Sequence, residues 1–304
     1  MNNSPVIYDS LNQAFACSMK LLNEEGKEVN SRGSKQKELL FHNMIIKDPY
    51  DLHISVPARK FNHEYAVAEW LWYLSRSPNV KNIGKMASIW NDIKDRQSQV
   101  ESNYGSYLYH KPGMVLGCMG PSQWEWVINE LMMDKDSRRA TIVINQPYHK
   151  HKNSKDYPCT QYLHFFIRDN MLHMSANMRS NDAVFGFCND VYTFCLTQQM
   201  MWNEMVLVYP GLKMGHYYHS AGSFHIYERH FPMMKKISEN YFKKVVEKNG
   251  WPQTTPVWLR HEVRYQTVEE FKYGLPMDDI DVEQIKQFTY NTIERLFYEH
   301  PEKS

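Results

Sequence analysis

The sequence lacks any run of about 18 consecutive apolar residues, so no segment is long enough to span a membrane as a helix. Its start, MNNSPVIYDS, lacks the basic and then apolar order of a secretory signal peptide. It also contains no internal repeat or low-complexity linker that would divide its 304 residues. We therefore expect a cytoplasmic protein in which residues 1–304 form a single domain.

Paired cysteines are also missing. The five cysteines are an odd number, and none are spaced as a C-x-x-C pair, so neither a disulfide framework nor a cysteine-based zinc site is expected. Two close histidine pairs, His149 with His151 and His216 with His219, lie beside no cysteine or carboxylate at ligand spacing. Exposed loop histidines explain these pairs, so no metal is expected.

The sequence has no excess of charge of one sign, since 35 Lys and Arg oppose 34 Asp and Glu for a formal net charge of +1. No overall field therefore favours direct binding to nucleic acid or to an anionic membrane. Any anion site must come from a local cluster of cations. The hydrophobic fraction of 42%, with 14% aromatic residues, is enough for a substantial buried core.

Helical and strand-like patterns are interspersed along the chain. Apolar spacing predicts helices over 6–24, 63–75, 123–133, 188–203, 230–247 and 279–298, and strands over 39–46, 140–146 and 222–228. The runs TQYLHFFIRD and MLHMSANMRS predict a β-hairpin that turns at Asp169-Asn170. This order indicates an α+β fold, in which a mainly antiparallel or mixed β-sheet packs against helices.

One cysteine and several arginines have a context that favours chemistry. Cys159 ends a polar, basic loop and begins a predicted strand. A lone cysteine is usually a small buried hydrophobe, but cationic neighbours would favour the thiolate, which is the nucleophilic form. Arg138, Arg139 and Arg179 lie at element boundaries, where guanidinium groups can bind phosphate oxygens bidentately. Solvated surface charges are the alternative interpretation.

Two carboxylates have unusual positions. Glu69 lies within the apolar helix AVAEWLWYL, where burial would raise its pKa toward a range useful for proton transfer. A polar stripe on an amphipathic helix would explain it equally well. Asp182 and Asp190 flank the glycine-centred run VFGFCN, between a strand and a helix. Asp190 can be an ordinary residue of a helix start, and that position is compatible with ligand contact.

Four blocks of the sequence occur in the order and spacing of the thymidylate synthase family. They are DKDSRR (134–139), PCT (158–160), NMRSNDAVFGFCND (177–190) and GSFHIYERH (222–230). The chain resembles this family over a signature region of about 32–230, followed by a C-terminal extension at about 250–304 without a usable signature. The third block most resembles the deoxycytidylate hydroxymethylases of T-even-type phages, which would place the protein in the cytoplasm of a host bacterium.

The resemblance implies the family's fold, with one sheet face at a dimer interface, and a role for each matching residue. Cys159 matches the nucleophile that adds to C6 of the pyrimidine, and Glu69 matches the glutamate that organises water and moves protons. The other matches are the phosphate-binding Arg32, Arg138, Arg139, Arg179 and Ser180, the sugar-binding His225 and Tyr227, and the folate-site or active-site Trp90, Asp182 and Tyr104. In the family the paired arginines reach across the dimer, so a homodimer with shared sites is implied. The co-substrate implied is 5,10-methylenetetrahydrofolate.

Two departures from the family pattern concern the substrate. Thr160 follows the nucleophile where thymidylate synthases have histidine, and Asp190 stands four residues after Gly186 where they have asparagine. An asparagine amide complements the N3–H donor and O4 acceptor of uracil. An aspartate accepts from the 4-amino group of cytosine and shares a proton with N3. Asp190 therefore favours cytosine and predicts a deoxycytidylate 5-hydroxymethyltransferase that uses dCMP, methylenetetrahydrofolate and water.

Other functions remain open from the sequence. A deoxyuridylate hydroxymethylase or a methylating thymidylate synthase would gain if Asn189, rather than Asp190, faced the base. A catalytically silent family member, acting as a regulatory or RNA-binding protein, would have no need of the intact Cys159 and Glu69. A ribonucleotide such as CMP is a further substrate to consider, although the serine in RSND favours the deoxy form.

Overall fold

The computed structural model describes residues 5–31, 33–110, 114–115, 118–151, 154–264 and 274–298. Within these ranges the centre of the protein is a mixed sheet of eight strands. These are β1 (Val6–Tyr8), β2 (Lys27–Ser31), β3 (Ser34–Ile46), β6 (Thr141–Val143), β7 (Thr160–Arg168), β8 (Met171–Met178), β9 (Asn181–Asp182) and β10 (Lys213–Tyr227), while β4 (Met114–Val115) and β5 (Cys118–Met119) pair with each other.

The order across the sheet is β1-β3-β10-β8-β7-β6, with β2 beside β3 and β9 beside β10. Strand β10 is antiparallel to β3 and parallel to both β8 and β9. Strand β7 is antiparallel to its two neighbours, β6 and β8. The mixture of parallel and antiparallel pairs confirms the α+β class predicted from the sequence.

Helices pack against the sheet and against one another. Those in the described ranges are α1 (Leu11–Glu25), α2 (His63–Leu74), α3 (Ile83–Met86), α4 (Ile89–Ile93), α5 (Gly105–Leu108), α6 (Gln123–Met133), α7 (Gly186–Val208), α8 (Phe231–Lys236), α9 (Glu247–Asn249) and α10 (Val282–Leu296). A π-helical segment, Ile237–Val246, joins α8 to α9. No helix in the described part of the chain has both the length and the apolarity needed to cross a bilayer.

The hairpin of β7 and β8 follows directly from its sequence. Inward and outward residues alternate along both strands, as expected when one face of a sheet is buried and the other is open. Asp169 and Asn170 form the predicted turn, and both have positive φ, 52° and 56°. These residue types tolerate left-handed backbone better than most, which matches the right-handed twist of the strands.

Helix α7 is the centre of the core. Most of its 23 residues are buried, including polar ones that hydrogen-bond to neighbouring backbone. The amides of Gln199 and Asn203 donate to carbonyl oxygens of Val257 and Arg260, at 3.0 and 2.9 Å, and so attach the later part of the chain to the core. The first turns of α7 face α2, and this contact brings two carboxyl groups together.

Several predicted elements have different boundaries in the structure, and two of them show the reason. Residues 6–24 were predicted as one helix, but Val6–Tyr8 pair with β3 as a parallel strand, and α1 begins after Ser10, whose hydroxyl accepts from Gln13 N. The strand predicted at 222–228 begins nine residues earlier, at Lys213, because β10 pairs with β3 and β8 on both sides. Main-chain pairing, rather than apolar alternation, sets the length of this strand.

Several apolar and aromatic side chains are exposed on the sheet. Val143, Tyr162 and Tyr218 are 43%, 37% and 36% exposed, and Phe41 on β3 is 78% exposed. Phe41 also has a positive φ of 52°, which is unusual for a bulky residue. Exposed aromatic residues on a sheet are typical of a surface that contacts another protein.

The start of α6 provides a test of local stability. Ser122 accepts from Glu125 N while the Glu125 carboxylate accepts from Ser122 N, as a complete capping box. We predict that Ser122→Ala lowers the free energy of unfolding by about 1 kcal/mol, because helix-start donors lose their acceptor. Urea unfolding followed by circular dichroism measures this.

The matched control is Ser88→Ala. Ser88 precedes α4 but makes no side-chain capping bond and is exposed. Its substitution should change the free energy of unfolding by less than about 0.5 kcal/mol. Equal losses in the two variants would contradict a stabilising role for the Ser122 capping box.

Candidate active site

The candidate site lies where the open end of the β7–β8 hairpin meets the start of α7. Cys159 immediately precedes β7 and Arg179 immediately follows β8, and Arg179 N donates to Cys159 O at 2.9 Å. The short strand β9 and the first turn of α7 follow directly in the chain. The hairpin register therefore brings together residues that are 20 positions apart in the sequence.

Cys159 is half-buried, and a cation lies beside its sulfur. Arg179 Nη2 is 3.6 Å from Cys159 Sγ and donates to Tyr157 O at 2.7 Å, while Nε donates to Pro158 O at 3.1 Å. The guanidinium carbon also lies 4.9 Å from the centre of the Tyr157 ring. Because backbone acceptors fix Arg179, its positive charge is held where it stabilises a thiolate electrostatically.

Glu69 on α2 and Asp190 on α7 form a pair of neighbouring carboxyl groups. Burial, reinforced by the negative charge of Asp190, raises the pKa of Glu69 to about 8. Burial also raises the pKa of Asp190 to about 7, against a hydrogen bond that Asn181 Nδ2 donates to Asp190 Oδ2 at 2.7 Å. Both pKa values are raised, so near neutral pH the pair as a whole can hold a transferable proton.

Tyrosines surround this pair. Tyr73 Oη donates to Glu69 Oε1 at 3.3 Å, whereas Glu69 Oε2 is buried without a hydrogen-bond partner among the residues that the structure describes. Trp90 is 8% exposed, and its Nε1 donates to Tyr65 Oη at 2.9 Å. The oxygen Oε2 is thus available to a water molecule or a substrate group.

Tyr104 connects the carboxyl groups with the cysteine. Its ring is buried and lies 5.3 Å from the ring of Tyr73. Burial raises the pKa of Tyr104, and the negative charges of Asp190 and Cys159 act in the same direction. The structure thus brings Cys159, Glu69, Asp190 and Tyr104 into one region.

The predicted sugar-binding residues lie beside this region. His225 and Tyr227, near the end of β10, have ring centres 5.2 Å apart, and His225 O accepts from Ala183 N at 2.7 Å. Burial lowers the pKa of His225, so its ring is mostly neutral at pH 7. Asp182 accepts from the backbone N–H groups of Val184 and Phe185, at 3.2 and 3.1 Å, and shapes the entry into α7. Half-buried Ser180 lies between Arg179 and β9.

The paired arginines are not part of this region within the chain. Arg138 and Arg139 are exposed, and Arg139 Nε donates to Glu130 at 2.9 Å. The following residue, Ala140, pairs with Phe165, six residues along β7 from Cys159, which corresponds to roughly 20 Å of strand. Arg32, the remaining predicted phosphate ligand, lies outside the described residues.

Two buried residues of the site were missed by the sequence reasoning. Asn181 is 2% exposed and contacts Asp190, although it stands inside the RSND block that the sequence singled out. His219 was interpreted as an exposed loop histidine, and this is wrong: it is 1% exposed and lies on the inward face of β10. The alternation Tyr217, His219, Ala221 within a longer strand would have indicated its burial.

Comparison with known proteins identifies the family of the chain. Residues 13–300 match the family described as Thymidylate synthase. The chain is 28% identical over 240 residues to the deoxycytidylate 5-hydroxymethyltransferase of Enterobacteria phage T6, covering 76% of this chain and 92% of that protein. It is 24% identical over 233 residues to thymidylate synthase 1 of Bacillus amyloliquefaciens, covering 76% and 89%.

The fold is also similar to a solved structure. Thermostable thymidylate synthase A from Bacillus subtilis matches with a TM-score of 0.65 and 20% identity, covering 83% of this chain and 89% of that chain. This confirms the thymidylate-synthase-like architecture expected from the four sequence blocks. Because the family match extends over most of the sequence, the chain belongs to the thymidylate synthase family, whose members are one-carbon transferases that act on pyrimidine nucleotides.

Proposed function

We propose that this protein is a deoxycytidylate 5-hydroxymethyltransferase, which converts dCMP, 5,10-methylenetetrahydrofolate and water into 5-hydroxymethyl-dCMP and tetrahydrofolate. The observation that carries the proposal is the position of Asp190, whose carboxyl group lies with Glu69 and Tyr104 in the region that contains Cys159. The similarity to the phage T6 and T4 proteins named deoxycytidylate 5-hydroxymethyltransferase supports it.

Asp190 supplies base recognition in this proposal. Cytosine presents a 4-amino donor and an N3 acceptor, so its edge needs one acceptor and one proton donor from the protein. A carboxyl group with a pKa of about 7 provides both, because its proton is available near neutral pH. Sharing that proton with N3 also withdraws electrons from the ring and makes C6 a better electrophile.

Cys159 is the proposed nucleophile. Its Sγ adds to C6, which gives C5 nucleophilic character. C5 attacks the one-carbon unit of the folate co-substrate, and loss of the C5 proton together with departure of tetrahydrofolate leaves an exocyclic methylene on the base. Water then adds to that carbon, and Sγ leaves C6. Arg179 stabilises the sulfur as an anion at the beginning and the end of this sequence.

Glu69 is the proposed group that positions the water. Its Oε2 is buried without a partner among the described residues, so it can accept a hydrogen bond from water, and its pKa of about 8 suits proton exchange near neutral pH. Water that reaches the methylene carbon gives a hydroxymethyl product. In a methylating synthase, water is excluded and the folate transfers a hydride, so access of water decides between the two products.

The other predicted ligands have roles in this proposal as well. Arg179 and Ser180 would bind the phosphate, and His225 with Tyr227 would bind the sugar 3′-hydroxyl. Trp90 and Asp182 would hold the folate, because the half-buried Asp182 carboxylate suits its ring N–H donors. Tyr104 would contribute its hydroxyl between the nucleophile and the base.

A homodimer accounts for the remaining arginines. Arg138 and Arg139 lie roughly 20 Å from Cys159 along β7 in their own chain, and the sheet exposes apolar and aromatic side chains that include Val143 and Tyr162. Packing two such sheets together would bury these side chains and carry the arginines of one subunit to the phosphate site of the other.

One observation favours a second candidate, an enzyme that acts on dUMP. Asn189 is buried, and its Oδ1 has no hydrogen-bond partner in the described part of the chain. If this oxygen faced the base it would accept from N3–H of uracil. Its Nδ2, however, donates to Phe185 O at 3.0 Å, one turn back along α7, while Asp190 is the residue that contacts the carboxyl cluster.

The direct test is incubation of the purified protein with methylenetetrahydrofolate and either dCMP or dUMP, followed by mass spectrometry of the nucleotide. We expect 5-hydroxymethyl-dCMP from dCMP, together with tetrahydrofolate. Cys159→Ser should lower kcat by at least about 10³-fold, because the hydroxyl is a much weaker nucleophile. A methylated nucleotide together with dihydrofolate would show that the protein is a methylating synthase.

Base selection is tested by Asp190→Asn. The amide cannot share a proton with N3, so kcat/KM for dCMP should fall by roughly 10²-fold or more, and the preference should move toward dUMP. Asn189→Ala is the matched control, since that side chain donates to Phe185 O instead. A large loss of selectivity in the control, with none in Asp190→Asn, would assign base recognition to Asn189.

Subunit sharing is tested by mixing two inactive variants, Cys159→Ser and the double variant Arg138→Ala with Arg139→Ala. Random assortment makes half of the dimers mixed, and each mixed dimer has one intact site. Activity should therefore return to about a quarter of the wild-type value after unfolding and refolding together. Absence of any recovery, with mixed dimers shown by mass spectrometry, would contradict shared sites.

A further inference from the structure

A chain of buried polar side chains lies behind Asp190, and the proposed mechanism leaves it unused. Tyr217 Oη is 2.9 Å from His219 Nδ1, His219 Nε2 is 3.0 Å from Asn181 Oδ1, and Asn181 Nδ2 is 2.7 Å from Asp190 Oδ2. Tyr217, His219 and Asn181 are each at most 2% exposed. Buried polar groups of this kind are costly unless each is paired, and here every contact is made.

The hydrogen bonds of this chain run in one direction. An ionised Asp190 can only accept, so Asn181 donates through Nδ2 and accepts through Oδ1. His219 must then carry its proton on Nε2, and Nδ1 accepts from the Tyr217 hydroxyl. Burial lowers the pKa of His219 to about 3, so the ring is neutral and has a single N–H to place. With the Asn181 amide in the orientation that the structure shows, the tautomer of His219 and the direction of the Tyr217 hydroxyl follow from it.

We infer that Tyr217, His219 and Asn181 form a positioning network that keeps Asp190 Oδ2 as a hydrogen-bond acceptor, places the exchangeable proton on Oδ1, and thereby selects cytosine over uracil. The inference rests on the proposed function, because it explains how that site chooses its base. Asn181 is a positioning residue in this sense, since it acts on the base only through Asp190.

Selection follows from the proton's position. A carbonyl-like oxygen is a better acceptor than a hydroxyl oxygen. Of the two neutral forms of Asp190, the N–H of Asn181 therefore favours the one with its proton on Oδ1 over the one with its proton on Oδ2. The form with its proton on Oδ1 offers cytosine a donor and an acceptor together. The form that fits uracil has the pattern reversed, with the proton on Oδ2. Its hydroxyl oxygen is then a weaker acceptor for the N–H of Asn181, so the buried hydrogen bond between the two residues loses part of its strength.

Gly186 makes the contact possible. A Cβ at this position would lie 3.0 Å from Asn181 Nδ2 and 3.4 Å from Asp190 Oδ2. Any side chain on the first residue of α7 would therefore crowd the hydrogen bond between Asn181 Nδ2 and Asp190 Oδ2. The absence of a side chain at 186 lets β9 approach the helix closely enough for the bond to form.

The other titratable groups near Asp190 come from every element packed around it. They are Glu69, Tyr65 and Tyr73 on α2, Tyr104 before α5, Asp182 on β9, Cys188 on α7 and Tyr217 on β10. Among them Asp182 raises the pKa of Asp190, and the bond from Asn181 lowers it. Removing the Asn181 donor therefore raises the pKa of Asp190.

The test is Asn181→Leu, which keeps the approximate volume and removes both amide groups. We expect the ratio of kcat/KM for dCMP over dUMP to fall by about 10- to 100-fold. The bound cytosine needs the proton, so activity with dCMP is lost as pH rises through the pKa of Asp190. In Asn181→Leu, the alkaline limb of the pH–activity profile with dCMP, where activity falls as pH rises, should therefore move to higher pH by about one unit. Carbon-13 NMR of the Asp190 carboxyl carbon measures the same shift without substrate.

Two further variants separate positioning from stability. Tyr217→Phe keeps the ring but removes the hydroxyl donor that sets the tautomer of His219. It should also lower the ratio of kcat/KM for dCMP over dUMP, by a smaller factor than Asn181→Leu. Asn203→Leu removes another buried amide on α7, 13 residues after Asp190. Its hydrogen-bond partners are Arg260 O and Val263 O, at 2.9 and 3.0 Å, and not the network beside Asp190. It should lower stability while leaving the ratio and the pH limb unchanged.

The outcomes distinguish this inference from the function on which it rests. A wild-type protein that prefers dUMP overturns the proposed function and the selection of cytosine together. The positioning network alone is overturned by another result. In that case the wild-type protein prefers dCMP, the preference is unchanged in folded Asn181→Leu and Tyr217→Phe, and the Asp190 carbon resonance does not shift. A fall in selectivity and an upward pKa shift in both variants, but not in Asn203→Leu, supports it.

Discussion

The burial of Glu69 and Asp190 against each other is the constraint on which the rest of the site depends. Two carboxylates taken out of water repel each other and lose hydration, so the folded protein must neutralise one of them or surround both with donors. The structure shows both neutralisation and surrounding donors. The pKa values are raised to about 8 and about 7, and Tyr73 and Asn181 donate to the pair. The folded chain therefore retains a proton where a base can use it.

The scaffold separates this acidic interior from its cations. Helices α2 and α7 carry the carboxyl groups, whereas Arg179 is held at the open end of the hairpin, beside Cys159. A nucleotide with its phosphate at the arginine and its base at the carboxyl pair would have each end in an environment of complementary charge. Strand β10 contributes to both parts, because its inward residues support Asp190 while its end, near Tyr227, faces the predicted sugar position.

The sequence predicted the parts of the site that have local signatures. The hairpin, the helix starts at Ser122 and His63, and the residues in the four family blocks depend on neighbours in the chain, so their patterns are visible without the fold. The role of Asn181 could not be read in this way, since its partner His219 is 38 residues away and belongs to a strand whose first half is polar. Long-range pairing decided the burial of that histidine, and no local pattern records such pairing.

The position of half-buried Cys159 next to a fixed guanidinium has a chemical cost for the cell. Oxidants such as peroxides attack thiolates that they can reach. Cys17 and Cys188 have pKa values raised to about 11 by burial, and Cys195 is fully buried, so these thiols are protected. Among the thiols with described side chains, oxidative damage would therefore concentrate on Cys159, and a bound nucleotide that covers the sulfur would shield the enzyme from inactivation.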